Sequence, residues 1–219
     1  MIEFDNLSKR YDGGFEALRN ISFQMESGEM AFLTGRSGAG KSTLLKLLML
    51  MERPTSGNLL INGKNLNQLR KAQIPTYRRQ LGVVFQNHRL LTDRSLYDNV
   101  SLPLQVSGYP RAEMSRRVRA ALDSVGLLER EHLKPMELSG GEQQRIGIAR
   151  AIVHKPRILL ADEPTGNLDI KNSKAVFDLL QEAQDKDQTA IVLVSHGFES
   201  QALANKSFEI SKGKLIQII

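Results

Sequence analysis

Three groups of residues in this 219-residue chain have the types and spacing to handle a nucleoside triphosphate. The first is Gly35-Arg36-Ser37-Gly38-Ala39-Gly40-Lys41-Ser42-Thr43. It fits the pattern G-x-x-x-x-G-K-[ST], with a strand-like run before it and a helical one after it. Glycines at 35, 38 and 40 let successive backbone N–H groups turn inward around phosphate oxygens, and the helix N-terminus behind them adds positive partial charge. Lys41 is expected to reach the β- and γ-phosphates, the Ser42 hydroxyl to ligate Mg²⁺, and Thr43 to help hold the α-phosphate. The second group is Asp162-Glu163, which ends the apolar run Ile158-Leu159-Leu160-Ala161. A buried parallel strand presents its last side chains at the carboxyl edge of its sheet. There Asp162 can hold Mg²⁺, and Glu163 can position or deprotonate an attacking water. The third group is Leu138-Ser139-Gly140-Gly141-Glu142-Gln143-Gln144-Arg145. Ser139, Gly140 and Gly141 fall at a helix N-terminus and make a second anion-binding nest, for which one chain has no second phosphate. The bland alternatives are a glycine-rich turn, two exposed turn acids and a plain helix cap; each accounts for one group and none for all three in this order.

The elements that position these groups are legible from periodicity. Residues 1–34 read as short strands: Ile2 and Phe4 alternate with polar residues, Ile21, Phe23 and Met25 do so again, and 30–33 is a buried run. Asp12-Gly13-Gly14 and Ser27-Gly28-Glu29 are the turns, and the pattern predicts a small antiparallel sheet against a phosphate-loop core. A helix is expected over 42–51, stopped by Pro54 and Gly57, and a strand and turn from Leu59, Ile61 and Gly63. A buried strand over 81–85 ends at Gln86. From 88 to 145 the pattern is helical: Met114, Val118, Ala121, Leu122 and Val125 recur at helical spacing, Gly126 suits a C-terminus, and Arg111, Arg116, Arg117 and Arg119 read as a solvated face. A helix over 174–184 and a strand over 190–194 follow. Strands alternating with helices predict an α/β fold with a mostly parallel core sheet, built as a single domain over 1–219 with an inserted helical subdomain at about 88–145.

Composition excludes several classes. The chain has no cysteine, so disulfides and thiolate metal sites are impossible, and this fits a reducing compartment. No apolar run approaches the ~20 residues that span a bilayer. Met1-Ile-Glu-Phe-Asp-Asn6 lacks the regions of a secretion signal, so the protein is expected in the cytosol with any membrane contact indirect. The net charge of +6 reads first as solubility and second as attraction to an anionic leaflet. Nucleic-acid binding ranks last, with aromatics at 5% and no basic-aromatic stacking segment.

Together the loop, the octet and the acidic strand end resemble the ATP-binding cassette (ABC) ATPases over essentially all 219 residues. The resemblance implies a P-loop NTPase of ABC type, with an N-terminal antiparallel β subdomain and an inserted helical subdomain, that hydrolyses ATP with Mg²⁺. It also implies a homodimer formed on ATP binding, in which Ser139, Gly140, Gly141 and Glu142 of one copy meet ATP held by residues 35–43 of the other. It assigns Tyr11 to stacking on adenine, Gln86 to sensing Mg²⁺ and the membrane partner, Asn167-Leu168-Asp169 to crossing the dimer interface, and His196 to the γ-phosphate. Gly197 stands where many members carry aspartate, which puts only local loop geometry in doubt. Tyr11-Asp-Gly-Gly14, the stretches 28–35 and 37–46, and His88-Arg-Leu-Leu-Thr-Asp-Arg-Ser-Leu-Tyr-Asp-Asn-Val100 look like the bacterial cell-division branch. Lipoprotein-release (LolD-like) and macrolide-export cassettes are similar, but commonly show Ser-Gly-Ser-Gly-Lys where this chain has Ser37-Gly-Ala-Gly-Lys41. The division branch implies an FtsX-like integral membrane partner docking near 86–100, regulation of cell-wall hydrolysis, a link to FtsZ, and a place on the cytoplasmic face of the inner membrane at the division site.

Overall fold

The structure, a computed structural model, describes residues 1–166, 168–195 and 204–218. Strands β1 (Ile2–Arg10), β2 (Glu16–Met25), β4 (Ser56–Ile61) and the short β5 (Lys64–Asn65) form an antiparallel sheet in the order β2-β1-β4-β5. A second sheet contains β3 (Met30–Thr34), β6 (Leu81–Val84), β7 (Ile158–Asp162), β8 (Ala190–Val194), β9 (Lys206–Ser211) and β10 (Lys214–Gln217). Its order is β10-β9-β3-β8-β7-β6, and every neighbouring pair is parallel except β9 with β10.

The buried parallel strands are apolar on both faces because both faces are covered. In β3, Ala31 and Leu33 join a core shared with the antiparallel sheet and with α1 (Lys41–Leu48), while Met30 and Phe32 face the other core. That second core is filled from α3 (Leu96–Val106), α4 (Arg111–Ser124), α5 (Gly140–Ile152) and α6 (Ile170–Asp187), through Val100, Leu122, Ile148 and Val176. The same two-residue alternation runs along β7: Ile158 and Leu160 face α1, and Leu159 and Ala161 face the helical layer. None of the helices among the described residues is long and apolar enough to cross a membrane.

Two helices differ from the sequence expectation. The helix after the phosphate loop ends at Leu48 instead of Met51. Leu50 turns left-handed at φ 52° and buries its side chain, and Met51 N–H donates back to the Lys46 carbonyl at 2.9 Å, so the stop precedes Pro54. Its last carbonyls are covered from α2 (Ile74–Arg78): Tyr77 Oη–H donates to Leu48 O at 2.6 Å, and Arg78 donates to Met49 O and Leu50 O, each at 2.9 Å. The helix expected over 174–184 is longer, because Asp169 caps its start by accepting from Asn172 N–H at 2.8 Å. The arginines of α4 are exposed as expected except Arg117, which is half-buried. Arg117 pairs with Glu113 at 2.8 Å and stacks on Tyr109, while Arg119 reaches Glu131.

Tyr77→Phe should cost about 1 kcal/mol, because it removes the donor to a buried helix-end carbonyl. The check is urea denaturation, which should show a lower midpoint at unchanged slope.

Candidate nucleotide site

The register of the parallel sheet brings the site together. Leu33 lies opposite Val194, and Val194 opposite Asp162, so β3, β8 and β7 finish at one edge. The phosphate loop leaves β3 at that edge, and Gln86 follows β6 there. Asp162 continues the face of Ile158 and Leu160, the face that packs on α1, and therefore points toward the loop helix.

Two of the loop glycines are required by close approach. At Gly35 (φ 140°) a Cβ would lie 2.3 Å from the Ile210 carbonyl oxygen, and at Gly40 (φ 118°) 2.5 Å from that of Ala17. Arg36, Ser37 and Gly38 are exposed at the rim, with Ala39 half-buried beneath them. Lys41 is only 6% exposed, and its ammonium donates to the carbonyls of Gly35 at 2.5 Å and Arg36 at 3.1 Å. Ser42 is exposed in the first helical turn, and Thr43 lies 3.4 Å from the Tyr11 hydroxyl, so the aromatic ring expected to stack on a base stands beside the loop.

Burial pushes the Lys41 ammonium down from its ordinary pKa, against the opposing charges of Glu163 and Asp162. Burial, and secondly the charge of Glu163, push the Asp162 carboxyl up, against Lys41. A half-buried carboxyl of raised pKa next to a second acid is a site whose charge a cation would relieve. Among the described residues no cluster of three or more His, Cys, Asp or Glu side chains could hold a metal by itself. The oxygen donors Asp162, Ser42 and Gln86 suit Mg²⁺, which is usually held by one or two carboxylates together with substrate phosphates. Glu163 sits at the turn in a left-handed conformation, φ 48°, with its N–H bonded to Val194 O at 2.8 Å. Its Oε2 accepts from Gln86 Nε2 at 2.7 Å, joining residues 77 positions apart.

The glycine-serine octet opens α5 as expected. Ser139 caps the helix, and its Oγ accepts from Glu142 N–H at 3.4 Å. Glu142, expected among the nucleotide contacts, closes the capping box within the chain: its carboxylate accepts from Ser139 N–H at 2.9 Å and Ser139 Oγ–H at 2.8 Å, and pairs with Arg130 at 2.7 Å. A Cβ on Gly140 would meet nothing within 4 Å among the described residues. Arg145 donates to Asn172 Oδ1 at 2.7 Å, which ties the octet to the start of α6 beside Leu168 and Asp169. Asn167, His196 and Gly197 lie outside the described residues.

The stretch after Gln86 has an internal architecture that periodicity did not reveal. His88 and Arg89 are successive left-handed residues, at φ 51° and 48°. The Arg150 guanidinium donates to both of their carbonyls, at 2.7 and 2.8 Å, and His88 Nδ1 contacts Gln144 Oε1. Asn99, fully buried, exchanges hydrogen bonds with the backbone of Leu91 and donates to Ser95 O. Beside this stretch lies a groove of about 520 Å³. Its walls include Val83, Phe85, Leu102, Pro103 and Val106, and Arg89 is its only lining residue from 86–100. His154 also lines the groove. Its Nε2 bonds Leu81 O at 3.2 Å, and its Nδ1 is buried with no partner among the described residues.

Comparisons with known proteins agree with this geometry. A family model described as "ABC transporter" matches residues 18–166. Cell division ATP-binding protein FtsE of Escherichia coli K12 is 54% identical over 182 residues, covering 83% of this chain and 82% of its own length. FtsE of Haemophilus influenzae is 49% identical over 193 residues, 88% of each chain. The cassette MJ0796, in a dimeric post-hydrolysis state bound to ADP and Pi, superposes with a TM-score of 0.91 at 30% identity, covering 100% of this chain and 99% of that one.

Gly35→Ala should destabilise the fold by about 3 kcal/mol, since both backbone strain and a carbonyl clash oppose it, and thermal unfolding measures this. Burial holds the His154 pKa below its ordinary value, so the unfolded chain binds the proton more readily than the folded one. Stability should therefore fall as pH drops below about 6.5. His154→Gln should remove that part of the slope, read as unfolding midpoints across pH.

Proposed function

The chain belongs to the ABC transporter ATPase family, and from that premise we propose that it is the ATP-hydrolysing subunit of an FtsEX-like complex in bacterial cell division. In this reading it works as a homodimer on the cytoplasmic face of the inner membrane, at the division site. It couples ATP-driven closure to an FtsX-like membrane partner that regulates cell-wall hydrolysis, with FtsZ as a further contact. The single observation that carries the chemistry is the convergence of Lys41, Asp162, Glu163 and Gln86 on one sheet edge beside the glycine loop. Similarity to FtsE over most of the chain supports division over transport as the process served.

The whole chain acts as one cassette, with residues 88–145 as its helical subdomain. Backbone N–H groups of Gly35, Arg36, Ser37, Gly38, Ala39 and Gly40 cradle the phosphates, Lys41 meets the β- and γ-phosphates, Thr43 the α-phosphate, and Tyr11 stacks on the base. Ser42, Asp162 and Gln86 would hold Mg²⁺, which would supply charge neutralisation at the phosphates. Glu163 orients the attacking water and takes its proton, and the Gln86 amide bonded to Oε2 fixes the rotamer of that carboxylate. His196 contributes a γ-phosphate contact. Ser139, Gly140 and Gly141 of a second copy close the site over ATP, and Glu142 keeps that helix end capped. Two sandwiched nucleotides hold the dimer shut, and hydrolysis introduces the charge repulsion that opens it. The membrane partner docks near 86–100, with the apolar groove beside Arg89 as the supporting surface; Val106, 58% exposed, lies at its wall.

Glu163→Gln should lower turnover by about 10²–10⁴-fold while retaining ATP-dependent dimers. Turnover assays with sizing chromatography check both, and unchanged turnover would remove Glu163 from its role. Val106→Asp should reduce recovery of the membrane partner from solubilised membranes while leaving ATP affinity intact. Recovery of a lipoprotein-release or exporter subunit with the wild-type chain would move it to transport.

A further inference from the structure

The residues that tie the Gln86 segment to α5 lie outside the nucleotide site, yet their geometry reaches into it. Gln86 is followed after one residue by two consecutive L-amino acids in the left-handed region, His88 and Arg89. Such a pair persists only where its surroundings over-determine it. The surroundings here are specific. The planar guanidinium of Arg150, from the last turn of α5, donates Nη2–H to His88 O and Nη1–H to Arg89 O, so one rigid fork holds both strained peptides. Gln144, two turns earlier on the same helix and 2% exposed, holds the His88 ring. Upstream, Val84 is fixed opposite Ala161 in the sheet. Gln86 therefore sits between two anchored points, and its amide meets Glu163 at 2.7 Å.

We infer that Arg150 is a positioning residue for ATP hydrolysis: its grip on the His88 and Arg89 carbonyls sets where Gln86 meets Glu163. The guanidinium is largely withdrawn from water, and burial lowers its pKa. Arg150 and Arg89 also line the apolar groove, so one side chain touches both the partner-facing surface and the segment that carries Gln86. Anything that moves Arg150 from the groove side moves the anchor of Gln86. The inference rests on the assignment of Glu163 and Gln86 to the hydrolytic step.

The test compares ATP turnover against ATP concentration for the full-length chain, its Arg150→Lys and Gln144→Met variants, and the double variant Arg150→Lys/Arg89→Gly. Each rate is normalised to the ATP-binding sites titrated in that preparation. Lysine keeps the charge but cannot span two carbonyls, so kcat should fall about tenfold or more while KM for ATP stays within about twofold. Glycine at 89 adopts the left-handed conformation without strain, so Arg89→Gly should restore most of the loss caused by Arg150→Lys. A packing defect in α5 would not be repaired by a change in the other segment. Gln144→Met replaces a buried amide, whose N–H has no partner among the described residues, with an apolar chain of similar length. It should fold, as its titrated ATP-binding sites report, and lower kcat several-fold. Wild-type kcat in both single variants, or a kcat loss in Arg150→Lys that Arg89→Gly leaves untouched, would overturn the inference. Undiminished turnover in Glu163→Gln would remove the assignment beneath it, and the inference with it.

Discussion

Lys41 is held at 6% exposure between its own loop and two acids, and the molecule is organised around that cost. Removing an ammonium from water disfavours its charge, while Glu163 and Asp162 favour it; Asp162 is the mirror case, pushed up by burial and by Glu163. Such a cluster stays together only if the backbone around it cannot relax. The parallel sheet supplies that rigidity by ending three strands in register. Alternation along β7 aims Asp162 at α1, and α1 is clamped between the two sheets by Leu44, Leu45, Leu47 and Leu48. The close approaches at Gly35 and Gly40 set the loop over this platform with no room for a side chain.

The N-terminus of α5, proposed to close the site of a second copy, lies at the surface. Ser139 and Glu142 close a capping box, and a Cβ on Gly140 would meet nothing within 4 Å among the described residues. Met136, 74% exposed just before it, and Ile170, 78% exposed just after the loop that opens α6, add apolar surface around the same elements. An outward anion nest beside unpaired apolar side chains is what a nucleotide-bridged dimer needs. In the proposed complex this couples ATP occupancy to the relative position of two copies, and hence to whatever they hold. The segment from Gln86 to Asn99 starts at the nucleotide edge and meets the groove at Arg89, and hydrogen bonds from Arg150 and Asn99 anchor it.

Much of this was legible in the residues. The glycine loop, the acids ending an apolar strand and the octet opening a helix are local patterns, and each needs only its immediate neighbours to be read. The strand over 190–194 is a continuous apolar run, and the antiparallel N-terminal sheet followed from alternation. What escaped was tertiary. Tyr77 and Arg78 cap α1 across some 29 positions, and Leu50 ends it early because burying that side chain outweighs the left-handed backbone. Arg150 looks like any basic residue in a helix until its two carbonyl acceptors, 61 and 62 positions away, are seen. Glu142 carried a clear capping signal, Ser139 three residues before an acid, and that signal accounts for its contacts within the chain.

The central claim is that each ATP site is completed by the octet of a second copy, head to tail. The chain has no cysteine, so single cysteines report contacts without background. Ser37→Cys and Met136→Cys would be made separately in the Glu163→Gln chain, mixed, and treated with a short bismaleimide with and without ATP. The account predicts a crosslinked dimer from the mixture in the presence of ATP and none without it. Absence of that product with ATP bound, or its formation regardless of ATP, would contradict the account.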